Sequence, residues 1–167
     1  MSFKKTSEIL TISGSVTETA ANTFTESEIT LNLDPLNNEV FVVLAIDLDL
    51  TAPSNVAGTG TSTSGSLAVT SQTGVIGISN SRCLAKGVKT IAQGAGTVDG
   101  AAFSEVEGNT PSAMLDWIAI IATDNFFAQV VGANNTSAKT MNFRVWGYRA
   151  RASSSVYASL VQSELLS

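Results

Sequence analysis

Apolar and polar residues alternate along much of this chain, which is the two-residue period of a β-strand. In the stretch 24–33, FTESEITLNL, the residues Ile29, Leu31 and Leu33 fall on one face. In the stretch 39–50, EVFVVLAIDLDL, every even-numbered residue is apolar, while the odd-numbered set ends in Asp47 and Asp49. The pattern therefore predicts two long strands, and it predicts that residues 40, 42, 44, 46, 48 and 50 share one face.

Further strands are predicted downstream, with weaker alternation first and clear alternation towards the end of the chain. The short connections at Asp124-Asn125 and at 133–138 predict β-hairpins. Two stretches rich in glycine, serine and threonine, 51–66 and 94–111, predict long surface loops. The predicted strands are 66–79, 83–93, 112–123, 125–132 and 139–151.

After Arg151 the apolar period changes from two residues to that of a helix. A serine triplet, Ser153 to Ser155, can cap the first turn, because a serine hydroxyl accepts from the free amides there. About eight strands, two long loops and one short helix predict an all-β fold, a single jelly-roll sandwich of antiparallel strands with a C-terminal helix. We expect an N-terminal arm over 1–10, the sandwich over 11–152 and a helical tail over 153–167.

The composition gives this sandwich a weakly charged surface. Hydrophobic residues make up 44% and charged residues 14% of the chain, with a net charge of −5. Such a surface resists association poorly, which suits a protein that contacts copies of itself. The first ten residues contain Lys4 and Lys5 but no apolar run, so we expect no secretory signal and synthesis in a host cytoplasm.

The sequence contains few residues with which to build catalysis. The absence of histidine excludes Ser-His-Asp and Cys-His arrangements. The single cysteine, Cys83, is expected to be a small buried apolar residue. Asp47 and Asp49 lie on one strand face and have two interpretations, a calcium or acid–base pair and, preferred, a solvated strand end. GAGTVDG, 94–100, lacks the third glycine of a dinucleotide loop. We therefore predict no enzyme activity, no metal and no cofactor.

Basic and aromatic residues alternate in the strand 139–151, where Arg144, Trp146 and Tyr148 share one face. Aromatic side chains flanked by arginine can stack bases and neutralise phosphates. Nucleic-acid contact by Lys4, Lys5 and Arg144 is one interpretation. The favoured alternative is that the arginines pair with acids, in the same chain or in a neighbouring subunit.

The stretches NEVFVVLAIDLDL and FRVWGYRARASSSVYASLVQSELL resemble parts of the small jelly-roll virion proteins of environmental and marine viruses. The resemblance implies a capsid protein whose loops and chain ends make the contacts between subunits. Many such proteins that package nucleic acid carry a long basic N-terminal arm, and this chain has only Lys4 and Lys5. That difference leaves a minor capsid, decoration or penton role open.

The favoured hypothesis is a structural virion protein that assembles into or onto a capsid shell, with copies of itself and other virion proteins as partners. The alternative is a non-assembling carbohydrate- or receptor-binding module, such as a spike or decoration protein. On the favoured hypothesis, one set of residues forms the subunit interface. They are Val156, Tyr157, Leu160, Val161, Leu165, Arg149 and Arg151.

Overall fold

The computed structural model describes residues 3–94, 100–106 and 115–166, and it places ten strands in two antiparallel sheets. A 3₁₀ turn lies at Pro35–Asn37, and one helix, α1, spans Ser154–Leu166. The first sheet contains β1 (Lys4–Lys5), β2 (Leu10–Thr17), β4 (Glu39–Leu50), β8 (Ala119–Ile121) and β10 (Thr140–Arg151). The second contains β3 (Thr25–Thr30), β5 (Thr61–Ala68), β6 (Cys83–Gln93), β7 (Ala101–Val106) and β9 (Asn125–Ala133).

The order of the strands is that of a jelly roll. The first sheet runs β2–β10–β4–β8, and β1 continues along the same edge of β10 as β2. The second sheet runs β3–β9–β5–β6–β7. The chain crosses between the sheets at every connection except β1 to β2, β5 to β6 and β6 to β7. This two-sheet order is the double Greek key of a jelly roll, so the predicted fold class is confirmed.

The main core lies between the two sheets, and a smaller one lies outside the first sheet. In the main core the rings of Phe126 and Phe143, from opposite sheets, meet edge to face with centroids 6.0 Å apart. Val40, Val42 and Ala150 belong instead to the second cluster, which includes residues of α1. The helix therefore covers part of the outer face of the first sheet.

A β-bulge in β4 changes which residues face the main core. Trp146 of β10 is paired with Ala45 and Gly147 is paired with Val43, so Leu44 is an extra residue without a cross-strand partner. Before the bulge Phe41 and Val43 face the main core, and after it the even-numbered residues do. The prediction that residues 40, 42, 44, 46, 48 and 50 share one face was therefore wrong. The extra residue in the bulge exchanges the inward-facing and outward-facing positions of the strand.

Several predicted loops and strands also differ from the structure. Part of the predicted loop 51–66 is β5, the middle strand of the second sheet, and the predicted strand 66–79 is strand only as far as Ala68. The predicted loop 94–111 contains β7, and its remaining residues lie largely outside the described part. Of the predicted strand 112–123, the described part is strand only at β8.

The two predicted hairpins are connections between sheets. Asp124-Asn125 joins β8 of the first sheet to β9 of the second, and 134–139 joins β9 to β10 of the first. In the second connection Asn135 is buried and links several loops. Its backbone N–H donates to Asn22 Oδ1 (2.7 Å), its Nδ2 donates to the Ser62 carbonyl (2.8 Å), and its Oδ1 accepts from the Ser54 N–H (2.8 Å). A short connection therefore does not imply a hairpin here. The connection from β9 to β10 crosses between the sheets, and the hydrogen bonds of Asn135 hold it in place.

The N-terminal residues lie along β10 of their own chain. Lys4 and Lys5 pair with Arg151 and Ala150, and the Thr6 N–H donates to the Arg149 carbonyl at 2.9 Å. The strand β2, which had not been predicted, pairs with β10 from Thr140 to Gly147. That the segment 1–10 acts as an arm that docks on neighbouring subunits stays a prediction.

Candidate functional site

The helix α1 packs on the second apolar cluster of its own chain. Val156, Tyr157, Leu160 and Val161 are partly buried against Val40, Val42 and Ala150 of the first sheet. Leu165, in contrast, is 59% exposed. Four of the five helical residues predicted at a subunit interface thus contact their own sheet, and a role of any of the five between subunits stays a prediction.

A buried carboxylate fastens the helix to the β8–β9 connection. Glu164 is 8% exposed, and its Oε1 accepts from the Ala122 N–H at 2.6 Å. Its Oε2 accepts from the Thr123 N–H (2.9 Å) and from the Thr123 hydroxyl (2.7 Å). Charge-assisted bonds of this kind are stronger than neutral ones, so this single side chain holds the C-terminal half of α1 in place. Sequence reasoning missed this role, because nothing local distinguishes Glu164 from a solvated helix acid.

The arginines near the end of β10 make different contacts. Arg149 Nη1 lies 3.1 Å from Glu39 Oε2 and donates to the Asn32 carbonyl at 2.8 Å, and Nη2 donates to the Leu31 carbonyl. It therefore pairs with an acid of its own chain. Arg151 is exposed and is paired through its backbone with Lys4 and Glu39. A contact of either arginine with a neighbouring subunit stays a prediction.

The part of the first sheet's outer face that the helix leaves open is polar, and we call it the polar face. Asp47 and Asp49 of β4 stand beside Arg144 and Asn142 of β10, in the pairs Asp47–Arg144 and Asp49–Asn142. A shallow depression of about 320 Å³ lies among them. The Arg144 guanidinium lies 5.8 Å from the centre of the Trp146 ring, and its Nε lies 3.3 Å from the Ser13 hydroxyl. The polar face thus consists of Asp47, Asp49, Asn142, Arg144 and Trp146.

The three residues predicted to contact nucleic acid do not form one basic patch. Lys5 is paired with Ala150, six residues along β10 from Arg144, which corresponds to about 20 Å at the rise of a strand. Lys5 Nζ lies 5.3 Å from the centre of the Tyr148 ring and 3.7 Å from Glu8. Arg144, for its part, stands beside Asp47, which repels a phosphate. The geometry gives no support to nucleic-acid contact by Lys4, Lys5 and Arg144 together.

An apolar groove of about 290 Å³ opens beside β8 at the side of the sandwich. Leu84, Ile118 and Leu160 line it, and Trp117, 40% exposed, stands at its rim. Cys83 also lines it, and burial raises the pKa of this thiol above its ordinary value, although a backbone hydrogen bond with Ala85 and the charge of Lys86 oppose the shift. A raised pKa keeps the thiol protonated at neutral pH and makes it a poor nucleophile.

Within the described residues, the strand β7 is the end strand of the second sheet. All six of its residues are exposed, with Phe103 at 57% and Val106 at 64%. Leu115, near Trp117, is 56% exposed. The strand β7, with Phe103 and Val106, is what we call the open side.

The described residues offer no metal site and no membrane-spanning helix. Residues 3–94, 100–106 and 115–166 contain no group of three or more acidic, cysteine or histidine side chains placed to hold a metal ion. Asp47 and Asp49 therefore have no third such ligand in this part of the chain. None of its helices has the length and apolar content needed to cross a membrane.

No protein-family model and no curated protein matches this chain. Among solved structures, the chain is similar to Merkel cell polyomavirus VP1 in complex with GD1a oligosaccharide. The similarity covers 92% of this chain and 99% of that chain, with 8% sequence identity and a TM-score of 0.44. The jelly-roll assignment rests on the strand order of this chain itself.

Proposed function

We propose that this chain is a structural virion protein that associates with copies of itself to form, or to join, a capsid shell, without catalysis. Its location is then the virion, and its partners are further copies and other virion proteins. Because Lys5 and Arg144 lie far apart along β10, we do not include contact with nucleic acid in this proposal.

The observation that carries the proposal is the exposed edge of β7. A strand at the end of a sheet presents unpaired N–H and C=O groups to any other strand that approaches. Soluble monomers blunt such edges with lysine, proline or short length, whereas β7 has six residues, AAFSEV, with Glu105 as its charged residue. Because Glu105 pairs with Lys89 of β6 at 3.3 Å, this charge is partly neutralised. The edge therefore favours pairing with a second copy.

The apolar side chains around this edge supply the energy that strand pairing alone lacks. Phe103 and Val106 of β7 are 57% and 64% exposed. Burial of apolar area contributes about 25 cal/mol for each Å², and aromatic residues are enriched where subunits meet. The low charge of the whole chain, 14% of residues, adds little repulsion between copies.

Light scattering on the purified protein over a range of concentrations tests this proposal. We expect wild type to form a discrete oligomer or particle. We expect Phe103→Asp to raise at least tenfold the protein concentration needed for association, because the new charge would be buried between copies. The matched control is Leu36→Asp, which changes a 93% exposed side chain of the 3₁₀ turn. We expect this control to associate as wild type does.

Two outcomes count against the proposal. If wild type is a monomer at every concentration, self-assembly is not a property of the chain, and the binding-module hypothesis takes its place. If Phe103→Asp and Leu36→Asp associate equally well, the β7 edge is not the contact. Reading absorbance at two wavelengths in the same run detects any nucleic acid that co-purifies.

A further inference from the structure

The polar face contains a positive and a negative side chain that are neighbours without being partners. Asp47 and Arg144 are directly opposite each other on β4 and β10, where Cα atoms lie about 5 Å apart. Opposite charges in such a cross-strand position normally pair. Here the guanidinium turns instead towards Trp146 and the Ser13 hydroxyl, and no described residue donates to the Asp47 carboxylate. Within the described residues, each copy thus presents an acid without a hydrogen-bond donor beside an exposed guanidinium.

We propose that the polar face is a two-fold interface at which Arg144 of each copy binds Asp47 of the other. This inference rests on the proposed function and names a second contact surface, separate from the open side. In a two-fold contact the same patch serves both copies, so residue i meets residue j and j meets i. A patch with one acid and one base side by side satisfies that condition, because the two-fold axis can pass between them.

The kinds of residue present favour another protein surface as the occupant. Arginine and tryptophan are the residues that most often dominate binding energy at interfaces, near the centre of the contact. Here Arg144 is stacked on the partly exposed Trp146, with Ser13, Ser15 and Thr11 of β2 beside them as a polar rim. A shallow, polar, self-complementary patch of this kind gives orientation and specificity more than affinity.

A shell needs a second contact in addition to the open side. One two-fold contact closes after two copies, and larger closed assemblies require a different surface as well. The polar face belongs to the first sheet and the β7 edge to the second, so one copy can use both at once.

Asp49 sets the strength of the proposed contact. The polar face carries two acids and one base, so two facing copies bring together four carboxylates and two guanidinium groups. Asp49 Oδ2 accepts from Asn142 Nδ2 at 3.3 Å but remains exposed. We therefore expect Asp49→Asn to tighten the contact a few-fold, because it removes like charges near the axis.

The test is a charge exchange between two variants, Asp47→Arg and Arg144→Asp, followed by native mass over a range of concentrations. Each variant alone places like charges across the axis, and we expect its association to weaken about tenfold or more. A mixture of the two restores both attractive pairs across the axis, so we expect a heterodimer with close to wild-type affinity. Pairing within one chain cannot be restored by mixing. Higher salt should weaken the wild-type contact and reduce the differences in association among the variants.

The matched control is Glu28→Arg, an equal charge change at an exposed position on the second sheet. Both Asp47 and Arg144 are exposed, so their variants keep the fold, and thermal unfolding checks this. If the single variants associate like wild type and like Glu28→Arg, the interface is overturned while the proposed function stands. If they weaken but mixing does not restore association, the two-fold pairing is overturned. If wild type itself is monomeric, the proposed function fails first.

Discussion

Glu164 is a residue whose surroundings differ from what its type suggests. An acid in a helix is ordinarily solvated, but this one is 8% exposed and accepts three hydrogen bonds from Ala122 and Thr123. Replacing it with alanine leaves two backbone N–H groups without their acceptor. We expect Glu164→Ala to lower the free energy of unfolding by about 2–4 kcal/mol.

Urea unfolding measures this loss, with Gln162→Ala as the control on an exposed position of the same helix. The control should change the free energy of unfolding by less than about 0.5 kcal/mol. Equal effects of the two substitutions would show that the carboxylate does not hold the helix.

Tyr157 makes the same helix sensitive to alkaline pH. Burial raises the pKa of Tyr157 above its ordinary value of 10.0, and the carboxylates of Glu164, Asp124 and Asp34 raise it further. A pKa that is higher in the folded than in the unfolded chain contributes stability that is complete below the unfolded value. That contribution is lost as pH rises through the folded value, because the folded state then has to ionise the phenol at a cost.

We therefore expect wild type to lose stability above pH 10 more steeply than Tyr157→Phe, in thermal unfolding measured at a series of pH values. Tyr148→Phe is the control, since it keeps Tyr157. Parallel pH profiles for all three proteins would contradict the assignment.

At the scale of elements, α1 covers an apolar cluster that is separate from the main core. Val40, Val42 and Ala150 lie beneath the helix, whereas the two sheets bury their own cluster between them. Removing residues 153–167 should leave the sandwich folded but expose this cluster. We expect the shortened chain to keep its β-sheet circular dichroism, to bind an apolar dye and to unfold at a lower temperature.

The complete chain is the control for that experiment, and Glu164→Ala should give an intermediate dye response. Loss of the β-sheet signal on shortening would show that the helix is part of the folding core.

The strands that the sequence predicted best are those in which apolar and polar residues alternate over most of the length. The predicted bounds 39–50 match β4, because its apolar residues are buried in one of the two clusters over nearly the whole length. The weaker strand predicted around 83–93 is β6. By contrast β5, TSTSGSLA, offered little alternation, since its inward residues include Thr61, Thr63 and Gly65. Gly65 has no side chain because Met141 of the facing sheet occupies that space. Such complementarity between distant residues cannot be seen in a local pattern.

The sequence predicted which residues of the polar face share a side of one strand, but not that the two strands meet. Alternation placed Asp47 with Asp49, and Arg144 with Trp146, each on one face of a strand. Their meeting depends on the register of β4 against β10 and on the bulge at Leu44, which turns Asp47 to the outer face together with Asp49. Glu164 and Arg149 find their partners through similar long-range packing, so their roles were out of reach for sequence reasoning.

At the scale of the whole molecule, the two proposed contacts use opposite sheets. The β7 edge belongs to the second sheet and the polar face to the outer side of the first. A chain with both surfaces can extend in two directions, whereas one that keeps only one of them stops at a small oligomer. The combination of Phe103→Asp with Asp47→Arg should therefore give a folded monomer.

The position of β10 also bears on how the chain comes to be folded at all. This strand is flanked by β4 on one side and by β1 and β2 on the other, so the first and the last strands of the sandwich are neighbours. A ribosome releases β2 long before it makes Thr140, and until then β2 lacks its partner. The pairs that β10 makes with β1, β2 and β4 thus form after synthesis of the sandwich is nearly complete, through contacts of long sequence separation that are slow to find. During that interval the unpaired strand β2 is open to pairing with other nascent chains, so we expect refolding at high protein concentration to lose more chains to aggregation than refolding at low concentration.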